Sequence, residues 1–271
     1  MESYAILYED DEILIANKLA PIPVQPEKSG DASLQELLKR ELAARAAGPG
    51  GAGPAEGKES ALGDGDSAAA GPFLEAAHRI DRRASGAVAF AKTSKALSTI
   101  EAAFRDHRVA KEYLACVERE PVPPEGKLEH RLVWDKRRNV VRAAPLEAGE
   151  AELSRRDAEA RGGSKARLRA TPDKAVLEYR LAGRSERYFF VSARLVTGRH
   201  HQIRAQFSAA GFPIRGDLKY GARRSAPNGL IMLHARRLVI PQPRTGETIE
   251  VVAPFPPSEP LWAAYSEKAP E

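Results

Sequence analysis

The apolar residues of this chain come in short runs broken by turn-forming stretches. YAILY (4–8), ILIA (13–16) and AVAFA (87–91) are short, and KEYLACVE (111–118) alternates until PVPPEG ends it. Runs of this length suit buried or half-buried strands, and repeated proline cannot continue a ladder. No apolar stretch approaches the ~20 residues that a membrane-spanning helix requires. The chain is thereby restricted to a sheet-rich fold with few helices.

The expected strands cover 4–8 and 13–16, a hairpin with the acidic EDDE between them, then 87–91 and 111–118. Further strands are expected at 128–134 and 139–143, paired across DKRR, and at 175–181, 187–196, 229–234 and 237–240. Three helices are expected. Residues 33–47 have Ser33 as N-cap and Leu34, Leu37, Leu38 and Leu42 on one face; 94–105 repeats apolar residues at Leu97, Ile100 and Phe104; 200–210 ends at Gly211. Residues 48–72 hold almost only Gly, Ala, Pro, Ser, Asp, Glu and Lys, too little apolar surface to order themselves, and read as a flexible insertion. Residues 146–166 read as a polar, helix-prone excursion. No period of 20–50 residues repeats. The expectation is one α+β domain over residues 1–271, built on a mixed, largely antiparallel sheet.

Apolar residues make up 42% and charged residues 29%, as in ordinary globular proteins. The lone cysteine, Cys116, excludes an internal disulfide and a multi-cysteine zinc site, and suits a reducing cytoplasm. The start of the chain has no basic segment followed by an apolar stretch, so no secretory signal is expected. The net charge of +5 is unevenly spread. Residues 1–75 hold 6 basic and 14 acidic side chains, whereas Arg187 to Arg244 holds 11 basic residues and a single acid, Asp217. Such asymmetry fits a polyanionic partner, most simply nucleic acid, and equally a genome rich in arginine codons.

Three islands carry chemistry. In His78-Arg79-Ile80-Asp81-Arg82-Arg83, a carboxylate set among arginines is suited to act as a nucleophile or an electrostatic partner; a solvated salt-bridge loop reads the same way. In Lys111-Glu112-Tyr113-Leu114-Ala115, a strand puts Lys111, Tyr113 and Ala115 on one face, where tyrosine can stack on a base or pack as core. The third island is Thr197-Gly198-Arg199-His200-His201-Gln202-Ile203-Arg204, continuing to Asp217 and Tyr220. A helix opening near His200 would favour an anion at its start, with Arg199 and Arg204 as further donors. A metal held by His78, His200, His201 and His234 is not expected, because adjacent histidines diverge in regular structure and no pair has i, i+4 spacing.

Taken together, HRIDRRASG, KEYLA, LVTGRHHQIR with GFPIRGDLKYG, and LHARRLVIPQP resemble the RluA-type pseudouridine synthases, with the motifs in that family's order between about residues 5 and 256. The chain departs from the family pattern at Ala84, Ala205-Gln206, Arg215, Leu19 and Pro21, none of which is a proposed catalytic position. The resemblance implies isomerisation of specific uridines in ribosomal or transfer RNA, without cofactor or metal. It implies Asp81 as catalytic aspartate, Tyr113 against the uracil, Arg204 pairing with Asp81, Arg79 filling the space of the flipped nucleotide, and Leu233 as apolar wall. Arg199, His201 and Gln202 are further substrate-binding candidates, and Arg215, Arg223, Arg224, Arg236 and Arg237 candidates for RNA backbone. A separate RNA-binding domain of the S4 type is not expected, and neither is a membrane partner. A cytoplasmic monomer is. The alternative from a different class is a non-catalytic RNA-binding protein on the same fold.

Overall fold

The structure is a computed structural model and describes residues 3–47, 71–135, 138–147 and 168–266. The bodies of both expected excursions, 48–72 and 146–166, lie outside the described residues. No described helix is long and apolar enough to cross a membrane.

Strands β1 (Tyr4–Glu9) and β2 (Ile13–Lys18) form the expected hairpin. Its acidic turn has a local cause: the Asp10 carboxylate accepts the N–H groups of Glu12 and Ile13, both at 2.8 Å. Helix α1 (Leu34–Ala47) opens with a capping box. Ser33 Oγ accepts from Glu36 N–H at 3.2 Å, and the Glu36 carboxylate accepts from Ser33 N–H at 2.8 Å. The short β3 (Glu75–Ala76) precedes β4 (Ser85–Ala91) and α2 (Ser94–Arg105), which Thr93 caps through Ala96 N–H. There follow β5 (Ala110–Val117), β6 (Glu125–Asp135), β7 (Val140–Ala144), β8 (Leu168–Arg184), β9 (Phe189–Leu195), α3 (Gln202–Ala209), β10 (Leu233–Pro241), β11 (Thr248–Val252) and α4 (Pro260–Ser266).

These strands make one sheet in the order β1-β2-β4-β10-β5-β9-β8-β6-β7, with β3 also on β4 and β11 also on β10. Every pairing is antiparallel except β4 with β10. The α+β class with a mixed, largely antiparallel sheet is therefore the observed one. β2 and β4 are buried on both faces, and their period of two divides the core. Leu14, Ala16, Val88 and Phe90 face the cluster that contains Leu34 and Leu38 of α1, while Ile13, Ile15, Ala87 and Ala89 face Ile100 and Ala103 of α2.

Three expectations are corrected. The two strands expected at 229–234 and 237–240 are one strand, β10, with an irregularity at Arg236. Pro227 to Gly229 form a 3-10 turn ahead of it, because proline cannot donate to a ladder. Strand β11, where Ile249 and Val251 alternate inward, was not anticipated. Helix α3 starts at Gln202 rather than His200, because His201 is left-handed at φ 53°.

The short parallel contact is a close one. Gly86 sits opposite Ala235 at φ +119°, and a Cβ there would lie 2.3 Å from the Ala235 carbonyl oxygen. Beside it the buried His234 bridges strands, with Nδ1 2.8 Å from Ser85 Oγ and Nε2 3.1 Å from the Ala253 carbonyl. Burial lowers its pKa to about 4.

Gly86→Ala is expected to destabilise the fold by about 2–5 kcal/mol through clash and backbone strain, read as a lower Tm and urea midpoint. His234 stays neutral in the folded chain while the unfolded chain binds a proton below pH ~6.5. Its contribution is therefore full above that pH and falls at about 1.4 kcal/mol per pH unit as pH drops toward 4. Urea unfolding of wild type and His234→Gln at both pH values checks this: the acid loss shrinks in the variant.

Candidate active site

Asp81 lies in the loop between β3 and β4, and that loop is anchored on every side. Ala84 N–H closes a turn onto the Asp81 carbonyl at 3.0 Å, and Ile231 N–H donates to the Arg83 carbonyl at 3.3 Å. The fully buried Lys18 donates to the carbonyls of Ile22 (2.9 Å) and Arg82 (3.0 Å). Burial lowers the Lys18 pKa to about 7, with Asp81 pulling weakly the other way. The Arg82 side chain reaches Pro21 O at 2.9 Å and Asp31 at 2.6 Å. Arg82 is thus used to fasten the loop to residues 21–31.

Arg204 of α3 holds the carboxylate. Its Nη1 donates to Asp81 Oδ2 at 3.0 Å, while Nε and Nη2 grip Asp217 at 2.6 and 2.8 Å. The guanidinium also lies over the Tyr220 ring, 4.7 Å from its centre. The side chains of Arg204 and Asp217 are only 6% and 1% exposed, against 18% for Asp81. Burial opposes the Arg204 charge, but hydrogen bonds and charge from Asp217, then Asp81, outweigh it and raise its pKa. The expected pairing of Arg204 with Asp81 is present. Asp217, the isolated acid of the basic stretch, is the second half of a three-member ion group that sequence reading missed.

The other oxygen of Asp81 faces His201, Oδ1 to Nε2 at 3.6 Å. His201 Nδ1 lies 2.8 Å from the Tyr220 hydroxyl, which accepts from Val141 N–H at 2.9 Å. Burial and then Arg204 lower the His201 pKa to about 2, so it is neutral at ordinary pH. The expectation that neighbouring histidines diverge is corrected: the left-handed His201 stacks its ring on His200 at 3.8 Å. Asp81, His200 and His201 carry ligand-type atoms within 4.8 Å of one another. His78 and His234 are elsewhere, bonded to Ala89 N–H and to Ser85.

Three cavities meet at Asp81. A cleft of about 660 Å³ is lined by Arg79, Asp81, Lys111, Tyr113, Arg199 and His200 among others. A chamber of about 60 Å³ shares Asp81 and Tyr113 with it and adds Ala84, Arg204 and Leu233. A groove of about 620 Å³ is lined by Asp81 together with Arg83, Trp134, His200 and Lys219. Tyr113 is brought there by β5, whose register sets it between Ala193 and Ala235. Burial and then the charge of Asp81 raise its pKa, so the phenol keeps its proton. Arg79 is exposed on the rim.

Gln202 differs from its expected use. Its carbonyl accepts from Thr197 Oγ1 (2.9 Å) and Arg199 N–H (3.0 Å), and its amide donates to Val176 O (3.0 Å). It lines the chamber but is spent on bracing the 197–202 loop. Three arginines expected on RNA are likewise engaged. Arg215 pairs with Glu259 at 3.7 Å and lies over Tyr188; Arg236 lies over Phe255 and bonds Ala253 O; Arg237 grips Glu250 at 2.7 and 2.9 Å. Arg223 and Arg224 are exposed.

This order of motifs, joined around one carboxylate on this sheet, defines a class of RNA-modifying isomerases. The sequence pattern of the RNA pseudouridylate synthase family matches residues 12–209, and the chain belongs to that family. Among its relatives is a ribosomal large subunit pseudouridine synthase C of Pasteurella multocida, 34% identical over 191 residues, which are 68% of this chain and 52% of that protein. Another is the dual-specificity RNA pseudouridine synthase RluA of Escherichia coli, 28% identical with 92% of each chain covered. The solved structure of human RNA pseudouridylate synthase domain containing 1 covers 97% of this chain and is 88% covered itself, with TM-score 0.67 at 22% identity, a likeness of fold.

Removing Arg204 leaves Asp217 buried and unpaired. Arg204→Met is therefore expected to cost about 3–5 kcal/mol in urea unfolding, whereas Arg204→Met combined with Asp217→Leu recovers part of that loss.

Proposed function

We propose that this chain isomerises specific uridines of ribosomal or transfer RNA to pseudouridine in the cytoplasm, acting as a monomer and with Asp81 as the catalytic residue. The observation that carries the reading is the Asp81 carboxylate, held at 3.0 Å by Arg204 at the boundary of a chamber walled by Tyr113 and Leu233. Chemistry at C1′ of the ribose and C5 of the base cannot proceed while the base is stacked. The nucleotide must be extruded, at a cost of a few kcal/mol.

In this reading the uracil enters the chamber with Leu233 as apolar wall and Tyr113 against its face. The C1′–N1 bond breaks, the uracil turns, a C1′–C5 bond forms, and the proton lost from C5 is balanced by one gained at N1. Attack by Asp81 on the ribose and attack on the base both call for a carboxylate at this position, and Arg204 fixes which way it points. Tyr113 holds its proton and can donate a hydrogen bond to the base or pass a proton. Arg79, free of hydrogen-bond partners among the described residues, takes the place of the extruded nucleotide, since its plane stacks and its ends bond phosphate. Arg199 and His201 line the approach, and Arg83, Lys219, Arg223 and Arg224 offer exposed charge to backbone. Each role falls to a side chain of this protein, so no metal or cofactor takes part. A binding protein on the same fold would not need a carboxylate held open to the cleft with a tyrosine beside it.

Asp81→Asn is expected to reduce pseudouridine formation at least about a thousandfold while leaving the fold and most RNA affinity intact. Mapping of pseudouridine in total RNA from cells with and without the gene checks this and names the target. Normal activity in the Asn variant would remove Asp81 from its role, and loss of activity on exhaustive chelation would remove the metal-free mechanism.

A further inference from the structure

Lys111 is a half-buried cation of the cleft that the chemistry above leaves unused. It sits on β5 two residues before Tyr113 and lines the same cleft of about 660 Å³. Its ammonium lies 5.1 Å from the centre of the Phe104 ring, and 2.9 Å from where a Cβ on Gly198 would stand. No carboxylate, carbonyl or hydroxyl accepts a hydrogen bond from it among the described residues. The acids lining the cleft are already engaged: Asp81 by Arg204 at 3.0 Å, Glu27 by Arg82 at 3.9 Å. His78, tilted against Phe104 with ring centres 5.2 Å apart, has its pKa lowered to about 3 by burial and then by Lys111 itself, and supplies no anion.

Lys111 is half-buried, no protein group among the described residues accepts from its ammonium, and burial lowers its pKa. Packing alone gives no reason for a charged end at this place, since a methionine or leucine would cover Phe104 as well. The aromatic ring offsets only part of the desolvation. The absence of a side chain at Gly198 keeps the space over the ammonium open toward the cleft.

We propose that Lys111 is the seat for one phosphodiester of the RNA strand, next to the nucleotide delivered to Asp81, with Gly198 keeping that seat open. The assignment rests on the reading of the cleft as an RNA site. A nucleotide turned into the chamber carries a phosphate on each side, and the cleft beyond the chamber is far larger than a base requires. One phosphate held at a fixed distance from Tyr113 would set how far the strand advances and so position the sugar over Asp81.

The test measures binding of a short oligouridylate to the full chain across a salt series, with pseudouridine formation assayed separately on cellular RNA. Lys111→Met is expected to weaken binding about tenfold at low salt and to reduce the slope of log Kd against log salt by about 0.7, the value of one single-strand phosphate contact. Replacing one linkage of the oligomer by neutral methylphosphonate, scanned along the strand, should weaken the wild type at one position and leave Lys111→Met indifferent. Lys111→Arg should keep most of the slope. Lys111→Gln removes the charge while keeping a polar end and should lose the methylphosphonate effect, which carries the test if Lys111→Met does not fold. An unchanged salt slope in Lys111→Met, or equal sensitivity of both proteins to every methylphosphonate, overturns the proposal. Displacement of the oligomer by equimolar inorganic phosphate overturns it too, assigning the seat to the free anion. If the wild type binds oligouridylate but forms no pseudouridine, the proposed activity fails while the seat is still judged by the slope.

Discussion

A buried guanidinium shared by two carboxylates is the constraint on which this site depends. Arg204 is donated by α3, Asp81 by the loop ahead of β4, and Asp217 by the turn after α3. A loop distant in sequence and a turn shortly after the helix are brought within hydrogen-bond distance by one planar group. Only arginine can do this, because its donors lie in one plane and address two acids at once. Asp217 takes the bidentate grip, and the remaining nitrogen is left to fix Asp81. The division explains their exposures of 1% and 18%: one carboxylate is structural, the other faces the cleft.

The surroundings follow from that arrangement. A carboxylate kept partly open to solvent needs a rigid loop, and the loop is tied by Lys18, Arg82 and the backbone of Ile231. Tyr220 supports the group from below with its ring and turns its hydroxyl to His201 and Val141, linking the ion group to β7. The arginine-rich stretch between Arg187 and Arg244 therefore does several jobs. Arg204 is internal to the site; Arg215, Arg236 and Arg237 are tied to acids, carbonyls or aromatic rings of the protein; only part of the charge is left for a polyanion. The arginine at the unusual position 215 also has a place, over Tyr188 and beside Glu259.

Much of the fold was legible because strands with strong alternation or complete burial announce themselves. The hairpin of β1 and β2, the capped helices α1 and α2, and the strands bearing AVAFA and KEYLACV follow from local pattern. β11 carries an equally regular alternation at Ile249 and Val251 and could have been read from it. The merger of two expected strands into β10 could not, because the irregularity at Arg236 depends on a partner strand. The later start of α3 depends on a left-handed histidine, which no propensity favours. At the site, Asp81, Tyr113 and Arg204 stood out by residue type and order. The engagement of Gln202, and the pairing of Asp217 with Arg204, left no signal beyond a lone acid among arginines.

By itself the sequence determined the elements and the cast of residues: where strands lie, that no apolar run is long enough for a membrane-spanning helix, and which motifs ally the chain with the RNA pseudouridylate synthases. These properties are set by neighbours along the chain, through the period of two in a strand, the capping of a helix and the spacing of a motif. Which charges meet which was decided only by tertiary structure. An arginine is left exposed or paired with Glu250, and an aspartate is buried in an ion group or left facing the cleft, according to what the packed sheet brings within about 3 Å of it. That outcome follows from distances in space, since burial makes an unpaired charge too costly to leave without a partner.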